Sequence, residues 1–388
     1  MEGGGVSSMP MKAVVVDCDC LTPYGMGSDA CWQGLLSGRS AITRISRFAT
    51  GAFMSDYAAT VEGLIYHGGT SLVMQMIDRL FRCAAPDIPA DSRLLLATTK
   101  GEIDFLEMSV LSDSGDAGES SLERLLEKVA RRSGAGGGSL LLSAACTSSS
   151  AAAARGAALI RDGQADCVLV VACDAVTEFV FSGFSSLMAL DREPARPFDK
   201  NRAGLSVGEA AAYMLIMSEE RAQREKRAIL AELAGWGLSD DANHMTGPSR
   251  ESEGMIRAIE VALRSAGLGE ERIGFISAHG TGTPYNDAME MRAFRALFGA
   301  QKRPVYSIKG GIGHTMGAAG LVELIMAARA LSEQQVPPTL NLEQASDDAR
   351  GWVSAQPQGL EAAGYALVTN AGFSGVNTAL VLGNGGLS

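Results

Sequence analysis

Apolar runs punctuated by glycine turns set the rhythm of this chain. Lys12–Cys18 is valine-rich and reads as a buried strand. A turn at Thr22-Pro-Tyr-Gly25 and a helix over Ala30–Leu36 follow it. Residues 40–70 carry no period and are expected to be irregular. Leu94–Ala97 is a second short buried strand, leaving through Thr98-Thr-Lys-Gly101. Ser121–Arg132 places Leu122, Leu125, Leu126 and Val129 at helical spacing behind a serine start. Its Glu127 and Arg131 stand four apart on a face expected to be solvated. Gly134–Gly138 reads as a loop.

Two later stretches resemble each other. Leu140–Cys146 is an apolar run followed by Thr-Ser-Ser-Ser and four alanines. Val305–Lys309 is another, followed by Gly-Gly-Ile-Gly-His314-Thr-Met-Gly-Ala-Ala-Gly. Each predicts a strand, a reactive residue, and a helix that opens with small side chains, so that helix and sheet can approach closely. Each is followed by a further strand, at Cys167–Ala172 and Tyr365–Thr369. The pattern predicts a duplicated α/β unit, one copy per half. Between the copies lie a charged helix at Ser218–Arg227, a short strand at Ala231–Gly235 and a polar loop at Ser239–Arg250. A helix over Gly254–Ala266 and a strand at Phe275–Ala278 belong to the second copy. The division is expected at 235/236, giving halves 1–235 and 236–388.

Composition narrows the class. The chain has 388 residues, 46% hydrophobic and 20% charged, a globular balance. Its net charge of −11 argues against a nucleic-acid binder held by bulk positive charge. Seven cysteines, an odd number and scattered, imply no disulfide framework and fit a reduced, cytoplasmic setting. Cys18 and Cys20 alternate along a strand with no second Cys or His pair nearby, so no metal is expected. Met1–Pro10 lacks a basic region followed by an apolar one and reads as a flexible leader. The longest charge-free stretch, around Gly134–Ala154, is too polar for a bilayer, and no membrane span is expected.

Candidate chemistry concentrates at strand ends. Cys146 lies where an apolar strand meets a helix N-terminus, whose partial positive charge favours thiolate and whose free N–H groups can face an oxyanion. Of four histidines, His279 and His314 sit in glycine-rich turns straight after strands. Lys309 ends an apolar strand, where an unpaired charge is costly. Glu323 is the lone charge in Gly320–Ala328 and needs a buried partner. Asn370–Asn377 is a glycine-rich strand exit whose backbone can approach a ligand. A thiol with two histidines and a lysine fits a thiol protease or an acyl transferase, and composition does not separate them.

The motifs do. The chain resembles the elongating β-ketoacyl-acyl-carrier-protein synthases of the thiolase superfamily. The resemblance rests on Ala144-Ala-Cys146-Thr-Ser-Ser, Gly183-Phe184-Ser-Ser, Arg196-Pro-Phe-Asp199 to Gly204, and Gly208-Glu209. It continues through Asp241-Ala-Asn-His244-Met-Thr-Gly-Pro248, His279-Gly-Thr-Gly-Thr283-Pro, Lys309, Gly313-His314, Gly317-Ala-Ala-Gly320 and Gly372-Phe373. It implies a thiolase fold, with two pseudo-duplicated α/β halves in a layered αβαβα core. It implies that Cys146 takes an acyl chain from one carrier protein. His279 and His314 would hold the malonyl thioester of another while carbon dioxide leaves, and the carbanion would attack the Cys146 thioester. Cys146 and Phe373 would supply the oxyanion-hole N–H groups, and Phe373 would gate the pocket. Thr281, Thr283, Phe184 and Glu323 are grouped with the substrate site. The threonines would face the phosphopantetheine arm, Phe184 would line the acyl tunnel, and Glu323 would pair with Lys309. Asp287 and Glu290 look like a helix cap.

No cofactor or metal is implied. The expected partners are acyl carrier protein and a second copy, with a chain-length subunit as the alternative to that copy. An acyltransferase or decarboxylase without extension is the alternative activity. Arg221, Arg224, Lys226 and Arg227 form a candidate docking patch, or else a solvated helix face. The chain departs from the family pattern at Thr98–Leu106, in a shortened 98–138 segment and at Ala210-Ala-Ala. These departures bear on acyl length and pathway rather than on the catalytic set.

Overall fold

The computed structural model describes residues 11–67, 69–112, 117–299 and 301–385. The leader expected at Met1–Pro10 lies outside them, as do residues 113–116 of the altered segment. In the first half, β1 (Ala13–Thr22) leads to α1 (Ser28–Leu36), α2 (Leu72–Ala84), β2 (Arg93–Ala97), α3 (Ile103–Leu111) and α4 (Leu122–Ser133). Then come β3 (Ser139–Leu142), α5 (Ser148–Arg161), β4 (Cys167–Asp174), α6 (Glu178–Ser186), β5 (Ala210–Ser218) and the short α7 (Glu219–Arg224). The second half runs β6 (Ala231–Asp240), α8 (Glu253–Ala266), β7 (Ile273–Ser277), α9 (Pro284–Phe298) and β8 (Val305–Tyr306). It ends with α10 (Lys309–Ile312), α11 (Ala319–Glu333), β9 (Tyr365–Ala371) and β10 (Val376–Asn384).

The two halves repeat one topology. The first ladder runs β3-β2-β4-β5-β1 and the second β8-β7-β9-β10-β6. In each, the first three strands of that order are parallel and the last two pairings are antiparallel. The ladders meet where β1 and β6 pair at Val14–Glu232 and Val15–Ala231. The boundary expected at 235/236 therefore falls inside β6.

Alternation along the strands explains the layers, because successive side chains point to opposite faces. Val168 and Val170 of β4 join Phe275, Val368 and Leu380 of the second sheet in one cluster with α5 and α11. Leu169 and Val171 face the other way, onto α2 and α4. Ile276, Leu367 and Val381 pack on α8 and α9. Five layers result, with α5 and α11 shared by both sheets. Their small residues, Ala152, Ala153, Ala157 and Ala327 among them, are fully buried there.

Several elements differ from the expectations. α2 is absent from the elements predicted above, although Leu72, Val73, Met76, Ile77, Leu80 and Phe81 follow a helical period and are buried. Ser71 caps it, accepting from the Met74 N–H at 3.1 Å. Each of those side chains gains about 2 kcal/mol on burial before entropy is charged against it. Residues 40–70 are not wholly irregular. Thr43–Arg44 pairs with Tyr57–Ala59, which pairs with Val207–Gly208 beside the site. The apolar run at Val305 is a strand for two residues only, and Lys309 opens a helical turn rather than ending a strand.

Candidate active site

The C-terminal ends of five strands converge between the halves. β3 leads to Cys146, β4 ends in Asp174, β7 leads to His279, β8 to Lys309 and His314, and β9 to Asn370 and Phe373. Cys146 occupies a tight turn before α5. Ala145 holds a left-handed φ of 48°, a conformation that costs a non-glycine residue about 1 kcal/mol. The turn is tied down by Ser148, whose hydroxyl accepts from the Ala144 N–H at 2.9 Å and donates to the Ala145 carbonyl at 2.6 Å. Gly372 lies over it, and a Cβ there would stand 3.2 Å from that of Ala145. This close approach brings the Phe373 N–H against the thiol. Among the described residues, neither the Cys146 N–H nor the Phe373 N–H is used by a backbone carbonyl. The two donors suit a developing oxyanion.

Burial reverses the expected thiolate preference. It pushes the Cys146 thiol up to about 11, outweighing the opposing pull of the Lys309 ammonium and the Phe373 N–H. Below its pKa, the thiolate fraction grows tenfold per pH unit. Alkylation of Cys146 by iodoacetamide is thus expected to accelerate about tenfold per unit between pH 7 and pH 10. Peptide mass spectrometry at Cys146 reads this directly; a rate level across that range would mean a stabilised thiolate instead.

The sulfur of Cys146 and one ring nitrogen of each of His279 and His314 lie within 4.8 Å of one another. The rings meet edge to face with centroids 5.1 Å apart. Their partners fix the tautomers. His279 Nδ1 faces two donors, Lys309 Nζ and Asn370 Nδ2, each at 3.3 Å, so it accepts and Nε2 carries the proton. His314 Nδ1 accepts from the Met316 N–H at 3.3 Å, which again leaves the proton on Nε2. His314 Nε2 is buried and has no partner among the described residues. Burial first, and then the Lys309 ammonium, hold both imidazoles well below their usual value, so they are neutral. The site thus offers two neutral N–H donors beside a thiol. A cation among the same three groups would need lone pairs where the tautomers place protons, and it would sit near an ammonium.

Lys309 is buried at 1% exposure and pairs with Glu323; it also donates to the His279 carbonyl at 2.5 Å. Burial raises the Glu323 carboxyl, against the pull of Lys309 and Asn370. Glu323 does not line the cavity, so its grouping with the substrate site is corrected. It is the counter-ion beneath the histidines. Asn370, which the sequence offered only as part of a backbone exit, donates to Glu323 and accepts from the Ser150 hydroxyl. Asp287 and Glu290 are not a helix cap. Glu290 accepts from the N–H groups of His279 and Gly280 at 2.8 and 2.7 Å, and Asp287 from those of Phe198 and Gly282. They hold the histidine turn, and burial raises Glu290 to about 7.

A cavity of about 430 Å³ opens above these groups. Cys146, His279 and His314 form its floor. Thr281 and Thr283, with hydroxyls 2.9 Å apart, line one wall. Phe184 and Phe373, with ring centroids 5.9 Å apart, line another. Met188 and Tyr285 stand at the rim, each more than 70% exposed. Of the basic patch suggested at Arg221, Arg224, Lys226 and Arg227, two members are held in ion pairs, Arg221 with Asp91 and Glu225, Arg227 with Asp87.

A thiol under two oxyanion donors and two neutral histidines, set between two copies of one α/β unit, defines an acyltransferase of the thiolase fold. Residues 127–222 match the β-ketoacyl synthase N-terminal domain and residues 230–343 its C-terminal domain. The 3-oxoacyl-[acyl-carrier-protein] synthase 2 of Vibrio cholerae is 30% identical over 95% of this chain and 98% of its own. The ishigamide ketosynthase/chain length factor structure superposes with a TM-score of 0.88 at 29% identity, covering 97% of this chain and 99% of the other. A chain of the Xenorhabdus doucetiae complex of a ketosynthase with its chain length factor gives 0.84 at 25% identity, covering 99% of this chain and 100% of the other. The chain belongs to the β-ketoacyl synthase family. No helix of the described residues is long and apolar enough to cross a membrane.

Proposed function

We propose that the chain is a 3-oxoacyl-[acyl-carrier-protein] synthase whose two half-reactions share one cavity. In the first, the Cys146 sulfur attacks the acyl thioester of a carrier protein. The oxyanion lies under the Cys146 and Phe373 N–H groups, and the thiol proton leaves with the carrier's sulfur. In the second, malonyl carrier protein enters with its thioester carbonyl between His279 Nε2 and His314 Nε2. Loss of carbon dioxide leaves an enolate held by those two protons. Its carbon attacks the Cys146 thioester, releasing a 3-oxoacyl carrier protein and the Cys146 thiolate, which takes a proton from solvent. Lys309, Glu323 and Asn370 keep His279 in the donating tautomer. Thr281 and Thr283 bond the pantetheine arm, and Phe184 and Phe373 separate it from the acyl chain.

The buried, unpartnered Nε2 of His314 carries the reading. A buried donor without an acceptor is costly unless a ligand supplies one. The relatives solved as ketosynthase and chain length factor support a paired assembly, either with a second copy or with such a partner. The two-half division fits the repeated ladders best when drawn at the start of β6. Seven unpaired cysteines support a reducing, cytoplasmic location. Mixing the protein with malonyl carrier protein and a series of acyl carrier proteins tests the reading by intact mass. A product longer by two carbons and carrying a 3-oxo group is expected. Acylated Cys146 with no extended product would move the function to acyl transfer or to an incomplete heterodimer.

A further inference from the structure

Asp174 is fully buried at the end of β4 and has no place in the chemistry above. Five donors surround its carboxylate among the described residues. On one side are the Thr98 hydroxyl at 2.8 Å, the Thr99 N–H at 3.0 Å, the Thr99 hydroxyl at 2.8 Å and the Lys100 N–H at 3.2 Å. On the other is the Gly317 N–H at 2.7 Å. The first group is the exit of β2. The second is the turn that follows His314.

That turn sets the His314 tautomer. Met316, whose N–H donates to His314 Nδ1, holds a left-handed φ of 53°. A buried methionine keeps such a conformation only where its surroundings over-determine it. The next N–H belongs to Gly317 and is bound by Asp174. Gly317 has no room for a side chain, since a Cβ would stand 2.6 Å from the Asp174 carboxylate. The His314 backbone is held independently, its N–H by the Ser206 carbonyl and its carbonyl by the Gly208 N–H. Losing the Asp174 contact would therefore free the turn without freeing the histidine's main chain.

We propose that Asp174 is a positioning residue for His314, binding the Gly317 N–H so that Met316 keeps His314 Nε2 a donor, and anchoring this turn to the Thr98–Lys100 loop. The proposal rests on the condensing reading. It assigns a use to Thr98 and Thr99, which lie where this chain departs from its family's pattern. Asp174 acts on the step that needs the histidine pair, decarboxylation, and not on the step that needs the oxyanion hole, acylation. Its charge also disfavours the Cys146 thiolate, so its neutralisation does not slow acylation.

The test uses the full chain with hexanoyl and malonyl carrier proteins, measuring Cys146 acylation and malonyl decarboxylation separately by mass. Asp174→Asn presents an amide to groups that are themselves donors. The expected result is decarboxylation reduced about 100-fold with acylation within threefold of the parent, since losing one aligned donor costs about 10²–10³. Thr98→Val with Thr99→Val removes two of the five donors and is expected to slow decarboxylation about fivefold, again selectively. Decarboxylation within twofold of the parent in the double variant, or an equal fall in both steps in either variant, would overturn the proposal. If Asp174→Asn does not fold, the double variant decides. A parent protein that neither acylates nor decarboxylates would instead defeat the condensing reading itself.

Discussion

Replacing Cys146 by alanine abolishes condensation. The sulfur is the one nucleophile on the cavity floor, and no neighbour can take its place, because both histidines present protons rather than lone pairs to the cavity. Removing an essential nucleophile costs on the order of 10⁴-fold or more, down to whatever the remaining groups achieve alone. The variant should fold. Cys146 behaves as a small buried side chain, and the turn around it is held by Ser148 and Gly372 rather than by the sulfur. Decarboxylation of malonyl carrier protein should persist, since His279 and His314 are untouched. Intact mass of the protein after incubation with an acyl carrier protein reports the missing adduct, and acetyl carrier protein formation reports the retained step. A 3-oxoacyl product from the alanine variant would remove Cys146 from the mechanism.

Replacing His279 or His314 by alanine gives the opposite split. Each change removes one of two donors aimed at the same enolate oxygen. The expected fall in decarboxylation is about 10²–10³-fold for either, close to the cost of one oxyanion donor. Acylation of Cys146 should continue within several-fold of the parent, because its oxyanion lies under backbone N–H groups. The two variants differ in detail. His279→Ala leaves Lys309 with Glu323 as its main partner, and the ammonium remains buried and paired. His314→Ala leaves the Met316 N–H without its acceptor, so this variant should also lose thermal stability. The double variant should lose little more than either single one, as groups acting as a unit are not additive. If acylation fell in step with decarboxylation, the histidines would be acting as bases on the thiol, and the assignment of neutral donors would fail.

The residues that meet at the cavity floor were legible because strand-end glycine turns leave a signature: an apolar run, then one reactive residue, then small side chains. Cys146, His279 and His314 stand in such places. The repeated unit was legible for the same reason, since the ladders copy one another. The sign of the Cys146 shift was not legible. A helix N-terminus can be read from neighbouring residues, whereas the burial that outweighs it is created by residues far away in the chain. Asn370, Glu290 and Asp174 escaped for a related cause. Their roles are hydrogen bonds to segments distant in sequence, and nothing within a few residues of them marks those partners. Lys309 read as strand because Val305–Ile308 is apolar, but the following glycines close a helical turn after two paired residues. The short strands at Thr43–Arg44 and Tyr57–Ala59 exist only through tertiary pairing. α2 is the exception, since its period and serine cap are written plainly in Ser71–Phe81.

Each half of the chain begins with a strand whose main partner is the last strand of that half. Val14 of β1 pairs with Met217, and Leu233 of β6 with Leu382. During synthesis, β1 must therefore wait until nearly the whole of its half has left the ribosome. Such distant pairings fold slowly. While it waits, Val14-Val-Val16 is an apolar strand with free edges, the kind of segment that pairs with the wrong chain. The rhythm of translation past Ser218, and the presence of chaperones that shield β1 until then, should govern how much of this protein reaches its folded form.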